Sequence, residues 1–252
     1  MSIELTNIKK SFEGADGNEI VVLDGIDVEL EDNSFTTIMG PSGCGKSTLL
    51  NIISGLVTMD SGSIRRDGTE IEQGDLPYAY VFQEPRLLNW RTVKENITFA
   101  LKSKGVPKEE HDERVTKYLE MNELAGEEES YPLRLSGGMR QRVGLARALA
   151  VEQDILLMDE PFSALDEITA QKLRSDVVEL WQETEKTIVF VTHNISEAVF
   201  LSDQILFMNT NGEIFSRTDV DVDRPRSQKD EALMEIEATL LEEFYAETEP
   251  DQ

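Results

Sequence analysis

The stretch Gly40-Pro-Ser-Gly-Cys-Gly-Lys-Ser47 constrains the fold of this chain more than any other feature. It matches G-x-x-x-x-G-K-[S/T] and lies between an apolar run, Phe35 to Met39, and a helical pattern, Lys46 to Leu56. Leu49, Leu50, Ile53 and Leu56 share one side of that helix. Strand, Gly-rich loop and helix in this order give the motif its physical meaning. Glycines let successive backbone N–H groups converge on phosphate oxygens, and the helix N-terminus adds partial positive charge. Gly40, Pro41, Ser42, Gly43, Cys44 and Gly45 would form the cradle, with Thr48 beside it. Lys46 would reach the β- and γ-phosphates of a nucleotide, and the Ser47 hydroxyl would bind Mg²⁺. Cys44 reads as small filler, with a redox role as the other reading.

The remaining patterns alternate. Ile20 to Leu30 mixes β-branched residues around an Asp24-Gly25 turn signal. Ala79–Phe82, Asp154–Met158, Thr187–Thr192 and Ile205–Met208 read as strands. Val93–Lys104, Lys108–Leu124, Gly138–Val151, Thr169–Glu185 and Asn194–Leu201 read as helices. Val115, Tyr118 and Leu119 stripe the second, and Leu173, Val177, Leu180 and Trp181 the fourth. The acidic tail ends in a helix whose apolar face is Leu233, Ile236, Leu240 and Phe244. It would pack on the body or take a partner. Strands alternating with helices predict a largely parallel sheet flanked by helices. The antiparallel-looking first third and the helices from about 90 to 150 would be additions to it.

Charge narrows the partners. The 252 residues carry 50 Asp+Glu against 24 Lys+Arg, a formal net charge of −26. Electrostatic binding of DNA or RNA needs the opposite sign, so no nucleic-acid partner is expected. Residues 219–252 hold twelve acids and three bases, so most of the excess sits on the body. Self-repulsion of this size is screened in concentrated salt, which points to a salt-rich cytoplasm, that of a halophile. An ordinary acidic protein with a basic partner is the other reading. Acids are absent from residues 33–59 and 130–151, and the second window holds Arg134, Arg140, Arg142 and Arg147. In a chain with one acid per five residues, both windows would be places where a polyanion approaches. The single Cys excludes an intrachain disulfide and a multi-cysteine zinc site. No apolar run approaches the roughly 18–20 residues needed to span a bilayer. MSIELTNIKK lacks a signal-segment pattern, so a cytoplasmic location is expected.

The apolar run from Asp154 ends in Asp159-Glu160-Pro161. Carboxylates at the carboxyl end of a strand sit where α/β sheets place ligands. Asp159 would hold Mg²⁺ and Glu160 would polarise the attacking water.

Leu135-Ser-Gly-Gly-Met-Arg-Gln-Arg142 precedes a helical pattern, and here the chain resembles the ATP-binding cassette (ABC) ATPases, over about residues 3 to 217. The order of motifs agrees: phosphate loop, Gln83, signature, Asp159-Glu160, Ser163-Ala-Leu-Asp166, His193. The resemblance implies an α/β P-loop NTPase of the ABC type. Its RecA-like parallel sheet core would carry an antiparallel β subdomain and an α-helical signature subdomain. The ATPase domain would cover 1–218, with its helical subdomain at about 88–150 and a tail at 219–252 packed on the body. It further implies ATP and Mg²⁺. Phe12 would stack on adenine, and Gln83 would touch Mg²⁺ and the water. His193 would contact the γ-phosphate and hold Glu160 and the water. Ser136, Gly137, Gly138 and Gln141 would cap ATP held by a second copy in a head-to-tail dimer, with Asp166 carrying signals across.

Tyr80 to Asn96, YVFQEPRLLNWRTVKEN, is similar to the ATPases of nitrate, sulfonate, taurine and bicarbonate importers, as is Asp223-Arg-Pro-Arg226. That group usually has Pro where this chain has Asn89. The similarity implies an energy-coupling subunit on the cytoplasmic face of the membrane. Two permease subunits would dock through a groove near Arg86, Trp90 and Arg91, fed by an extracytoplasmic substrate-binding protein. The competing reading is a soluble ABC ATPase uncoupled from transport. Against its repair and chromosome types stands the short span between Gln83 and Leu135, which leaves no room for a long coiled coil.

Overall fold

Buried Ile3, Leu5 and Ile8 on Ile3–Glu13 (β1) face buried Leu23, Ile26, Val28 and Leu30 on Glu19–Leu30 (β2) in a computed structural model that describes residues 2–227 and 229–248. One compact unit comprises the chain up to Leu76 and from Thr187 onward; the other is Pro77–Lys186. In the first unit β1 and β2 pair antiparallel, and the chain reverses at residues 14–18, where the Gly14 N–H donates to Asn18 O at 2.7 Å. Asp24-Gly25 is therefore no turn. The register passes from Ile8↔Ile26 to Lys9↔Asp24, so Gly25 is the extra residue of a β-bulge, at φ 77°. Phe35–Met39 (β3) is wholly buried and leads through the Gly-rich loop into Lys46–Ile53 (α1). Ser61–Arg66 (β4) and Thr69–Ile71 (β5) complete an antiparallel sheet of order β2-β1-β4-β5.

In the second unit Tyr78–Val81 (β6) pairs parallel with Ile155–Asp159 (β7). Between them lie Val93–Ser103 (α2), His111–Met121 (α3) and Gly137–Ala150 (α4); Glu167–Thr184 (α5) follows β7. Thr92 and Glu95 form a reciprocal capping box that starts α2. The helix expected over Lys108–Leu124 is a 3₁₀ turn, Lys108–Glu110, followed by α3. Helix α4 is buried along much of its length and carries a buried Arg142 and a half-buried Arg147. Arg142 pairs with Asp176 at 2.8 Å and with Glu123 at 3.4 Å. Arg147 donates to the carbonyls of Pro85 and Arg86. These two cations are spent inside the unit, which corrects the reading of the whole 130–151 window as a polyanion surface.

The chain then returns to the first unit as Thr187–Thr192 (β8), Ile195–Leu201 (α6), Gln204–Met208 (β9), Ile214–Asp219 (β10) and Glu231–Thr248 (α7). Strands β8 and β9 flank β3 in parallel, and β10 closes the edge antiparallel to β9. Both β3 and β8 are buried along their whole lengths, as parallel strands covered on both faces should be. Leu233 and Leu240 of α7, with partly buried Ile236 and Phe244, pack on Met39, Ala198, Phe207 and Val220. Parallel strands with helices, an antiparallel sheet and a largely helical segment thus give the mixed α/β architecture expected.

Two arginines close this unit. The Arg226 guanidinium donates to the carbonyls of Val199, Phe200, Ser202, Val220 and Val222, and Arg224 to Leu201 O and Asp203. Most of these are carbonyls at the C-terminal end of α6, where the helix has no internal donors and its dipole is negative. Burial, with Arg224 nearby, pushes the Arg226 guanidinium down to about 10, so it stays cationic at neutral pH. Arg226→Ala strands several buried acceptors and should cost about 3 kcal/mol, roughly 6–12 °C in a chain of this length. Calorimetry checks this, and an unchanged melting temperature would contradict the role.

Candidate functional site

The Gly-rich loop leaves β3 under tight steric limits. A Cβ on Gly40 would lie 2.4 Å from Met208 O, and one on Gly45, at φ 105°, 2.8 Å from Val22 O. Backbone is the obstacle in both cases, so a side chain at either position would push the loop off its seat. Helix α1 starts at Gly45 with no side-chain cap and no acid in its first turn. Its leading amides are thus not taken by a capping side chain, and the local field favours an anion. Lys46 is buried, and its ammonium donates to Gly40 O at 2.9 Å and Pro41 O at 2.8 Å. Those neutral carbonyls hold the cation at the loop, where an anionic acceptor would bind it more strongly. Ser42, Gly43 and Ser47 are exposed; Pro41 and Thr48 are half-buried. Cys44 is buried, and that burial pushes its thiol up, which fits filler and disfavours a reactive thiolate. Phe12 is 42% exposed on β1, with the Lys10 ammonium 5.1 Å from its ring centroid. That leaves much of the ring open to a flat ligand.

His193 follows β8 and is exposed. Its neighbours are tied down: Thr192 Oγ1 donates to buried Glu197 at 2.7 Å, and Asn194 caps α6 by accepting from the Glu197 N–H. The imidazole is thereby presented from a fixed corner.

In the second unit β7 ends on half-buried Asp159, and the next residue, Glu160, adopts φ 41°. A non-glycine residue in that region is strained, and its surroundings must hold it there. The Ser163 N–H and hydroxyl both reach the Glu160 carbonyl, at 3.3 and 3.0 Å. Gln83 Nε2 donates to the same hydroxyl at 3.1 Å. Gln83, Ser163 and Glu160 therefore form one chain of contacts. Ser163 opens the Ser163-Ala-Leu-Asp166 stretch, and a hydroxylated residue three positions after Glu160 is the signal for this contact in the sequence. Tyr80 was missed. Its hydroxyl lies 3.5 Å from Asp159 Oδ2, and burial, then the Asp159 charge, pushes its phenol well above the usual range.

The signature residues head α4. Ser136 caps it by accepting from the Met139 N–H at 3.2 Å, and no acid occupies the first turn. Asp166 caps α5 in the same way from the Thr169 N–H, and these backbone bonds hold its carboxyl below the usual range. The two caps belong together: a Cβ on Gly138 would lie 2.7 Å from Thr169 Cγ2, so glycine there lets α4 approach α5. A Cβ on Gly137 would meet Arg140 Nη2 at 3.9 Å, an ordinary contact. Gln141 is 3% exposed and donates to Phe82 O at 3.3 Å, next to Gln83. Its side chain serves the interior of the unit and does not face solvent. Trp90 is 74% exposed, Arg91 lies over Phe99, and Arg86 over Phe82. A cavity of about 260 Å³ is lined by Arg86, Phe82, Phe99, Lys104 and Arg147, while Trp90 and Arg91 are not among its lining residues.

A model of the family described as "ABC transporter" matches residues 23–163. The aliphatic sulfonates import ATP-binding protein of Bacillus cereus is 40% identical over 247 residues, 97% of this chain and 96% of that protein. The taurine import ATP-binding protein of Rhizobium johnstonii is 43% identical over 209 residues, 81% of this chain and 79% of that protein. Among solved structures, a dimeric post-hydrolysis state of the ATP-binding cassette MJ0796 bound to ADP and Pi superposes with a TM-score of 0.75. It is 31% identical and covers 88% of this chain and all of its own.

Proposed function

The chain belongs to the ABC transporter family, and from that premise we propose that it is the ATP-hydrolysing, energy-coupling subunit of an importer for a small anionic solute such as nitrate, a sulfonate or taurine. The observation that carries the reading is that each unit has its own helix start without an acid in the first turn, α1 in the first and α4 in the second, the second unit also holding the strained Glu160 at the end of β7. The first helix start, with Lys46, would bind the β- and γ-phosphates of ATP, and Phe12 would stack on the base. The second, Ser136-Gly137-Gly138, would cap ATP held by another copy of the chain, with Asp166 at the same end. Gln141 would act from beneath, by fixing the backbone that leads to Gln83. The dimeric MJ0796 cassette supports such an arrangement.

The donors suit Mg²⁺. Ser47, Asp159 and Gln83 offer oxygens alone, and among the described residues no group of three or more His, Cys, Asp or Glu could hold a metal by itself. A cation that keeps waters and shares its shell with phosphates needs no protein cage. Bound there, Mg²⁺ would neutralise charge on the β- and γ-phosphates. Glu160 would accept the proton of the attacking water, His193 would hold that water toward the γ-phosphate, and Gln83, tethered by Ser163, would touch the cation and the water.

No helix among the described residues is long and apolar enough to cross a membrane, and the importer reading places membrane-spanning partners beside this chain. We assign their docking to the groove beside Arg86, Trp90 and Arg91, since an aromatic residue this exposed beside cations fits an interface. The subunit would be peripheral, on the cytoplasmic face, with a substrate-binding protein acting from the far side. The acid excess is assigned to a salt-rich interior. The purified chain should release phosphate from ATP with Mg²⁺ and stop with EDTA, and turnover should rise from low to molar KCl. No release at either salt would overturn the ATPase reading; equal turnover would remove the salt inference.

A further inference from the structure

Tyr80 stands opposite Leu157 in the parallel β6–β7 register, so Tyr80 and Asp159 project from the same face. The tyrosine hydroxyl lies 3.5 Å from Asp159 Oδ2. Its ring is held as well: it stacks on Phe82 with centroids 4.3 Å apart and planes 25° from parallel, and the Arg86 guanidinium lies 4.4 Å from the Phe82 ring. The roles assigned above leave this tyrosine unused. We propose that Tyr80 is a positioning residue for the metal carboxylate: its hydroxyl donates to one oxygen of Asp159 and turns the other toward the cation. The proposal rests on the reading of Asp159 as a Mg²⁺ ligand.

The physics is that of an outer hydrogen bond on a metal ligand. The terminal torsion of an aspartate is broad, so a carboxylate at a strand end has no strong preference of its own. A donor fixed by stacking biases the carboxylate toward one orientation before the cation arrives. A neutral hydroxyl does this without competing for the negative charge, as an arginine or lysine would. At 3.5 Å the bond is long, so it constrains Asp159 loosely and can shorten as the carboxylate swings. Partners of this kind typically contribute 10- to 100-fold to metal affinity.

Tyr80→Phe removes the hydroxyl and keeps the ring. Mn²⁺ titrations in saturating ATP, followed by electron paramagnetic resonance on the full chain, should show roughly 10-fold weaker metal binding than wild type. ATP affinity measured in EDTA, and the melting temperature, should stay within error of wild type. Metal affinity within twofold of wild type would overturn the proposal. So would a parallel loss of metal and metal-free nucleotide affinity, which marks a structural effect. Failure of the wild-type chain to take up Mn²⁺ with ATP would instead overturn the reading of Asp159 itself.

Discussion

Lys46→Ala should lower ATP affinity by roughly 100-fold or more, since a charge-assisted contact to phosphate is worth about 3 kcal/mol. The ammonium does two things at once. It would bind the phosphates, and it already ties Gly40 O and Pro41 O to the head of α1. Removing it takes a cation from a chain of net charge −26, where the surrounding field already opposes a triphosphate. Titration with a fluorescent ATP analogue reads the effect, and a melting curve shows whether the loop change reaches the fold. Affinity within threefold of wild type would sink the assigned role of Lys46.

Glu160→Gln should cut hydrolysis about 1000-fold, the middle of the range for loss of a general base, while ATP still binds. The substitution keeps the shape of the side chain. It also spares the local architecture, because Ser163 holds Glu160 through its backbone carbonyl and not through the carboxylate. The strained φ of 41° should therefore persist in the variant. With binding intact and turnover blocked, ATP should accumulate between two copies. Size-exclusion chromatography with ATP should show a doubled mass that collapses when the nucleotide is removed. A variant that stays monomeric with ATP would count against the two-copy arrangement, and one that keeps a tenth of wild-type turnover would count against Glu160 as the base.

Buried strands were legible in the sequence, and strands that expose most of their side chains were not. Strands β3 and β8 stand as continuous apolar runs, and their bounds, Phe35–Met39 and Thr187–Thr192, agree with the pattern. Strands β4, β5 and β10 were missed because SGSIRR, TEI and IFSRTD bury few side chains and are specified mainly by the strand beside them. Asp24-Gly25 misled because a bulge and a turn ask the same left-handed glycine of the chain. The arginines of residues 130–151 misled for a different reason. Charge counts do not reveal that Asp176 and the carbonyls of Pro85 and Arg86 lie within reach of Arg142 and Arg147. At the site, the phosphate loop and the signature are local patterns and could be read directly. The Gln83–Ser163 contact, the Tyr80 contact and the inward turn of Gln141 join residues far apart in the chain, and no spacing announces them.

The tail helix has one consequence for anyone who trims or tags this protein. Leu233 and Leu240 share their hydrophobic cluster with Met39, the residue immediately before Gly40. The far end of the chain is thus part of the floor on which the phosphate loop rests. Shortened versions that end before α7, or fusions that pull it away, would remove that floor while leaving every motif residue in place. A weakened nucleotide site in such a version would be a fault of foundations, and the C-terminal segment should be kept whole in any engineered form.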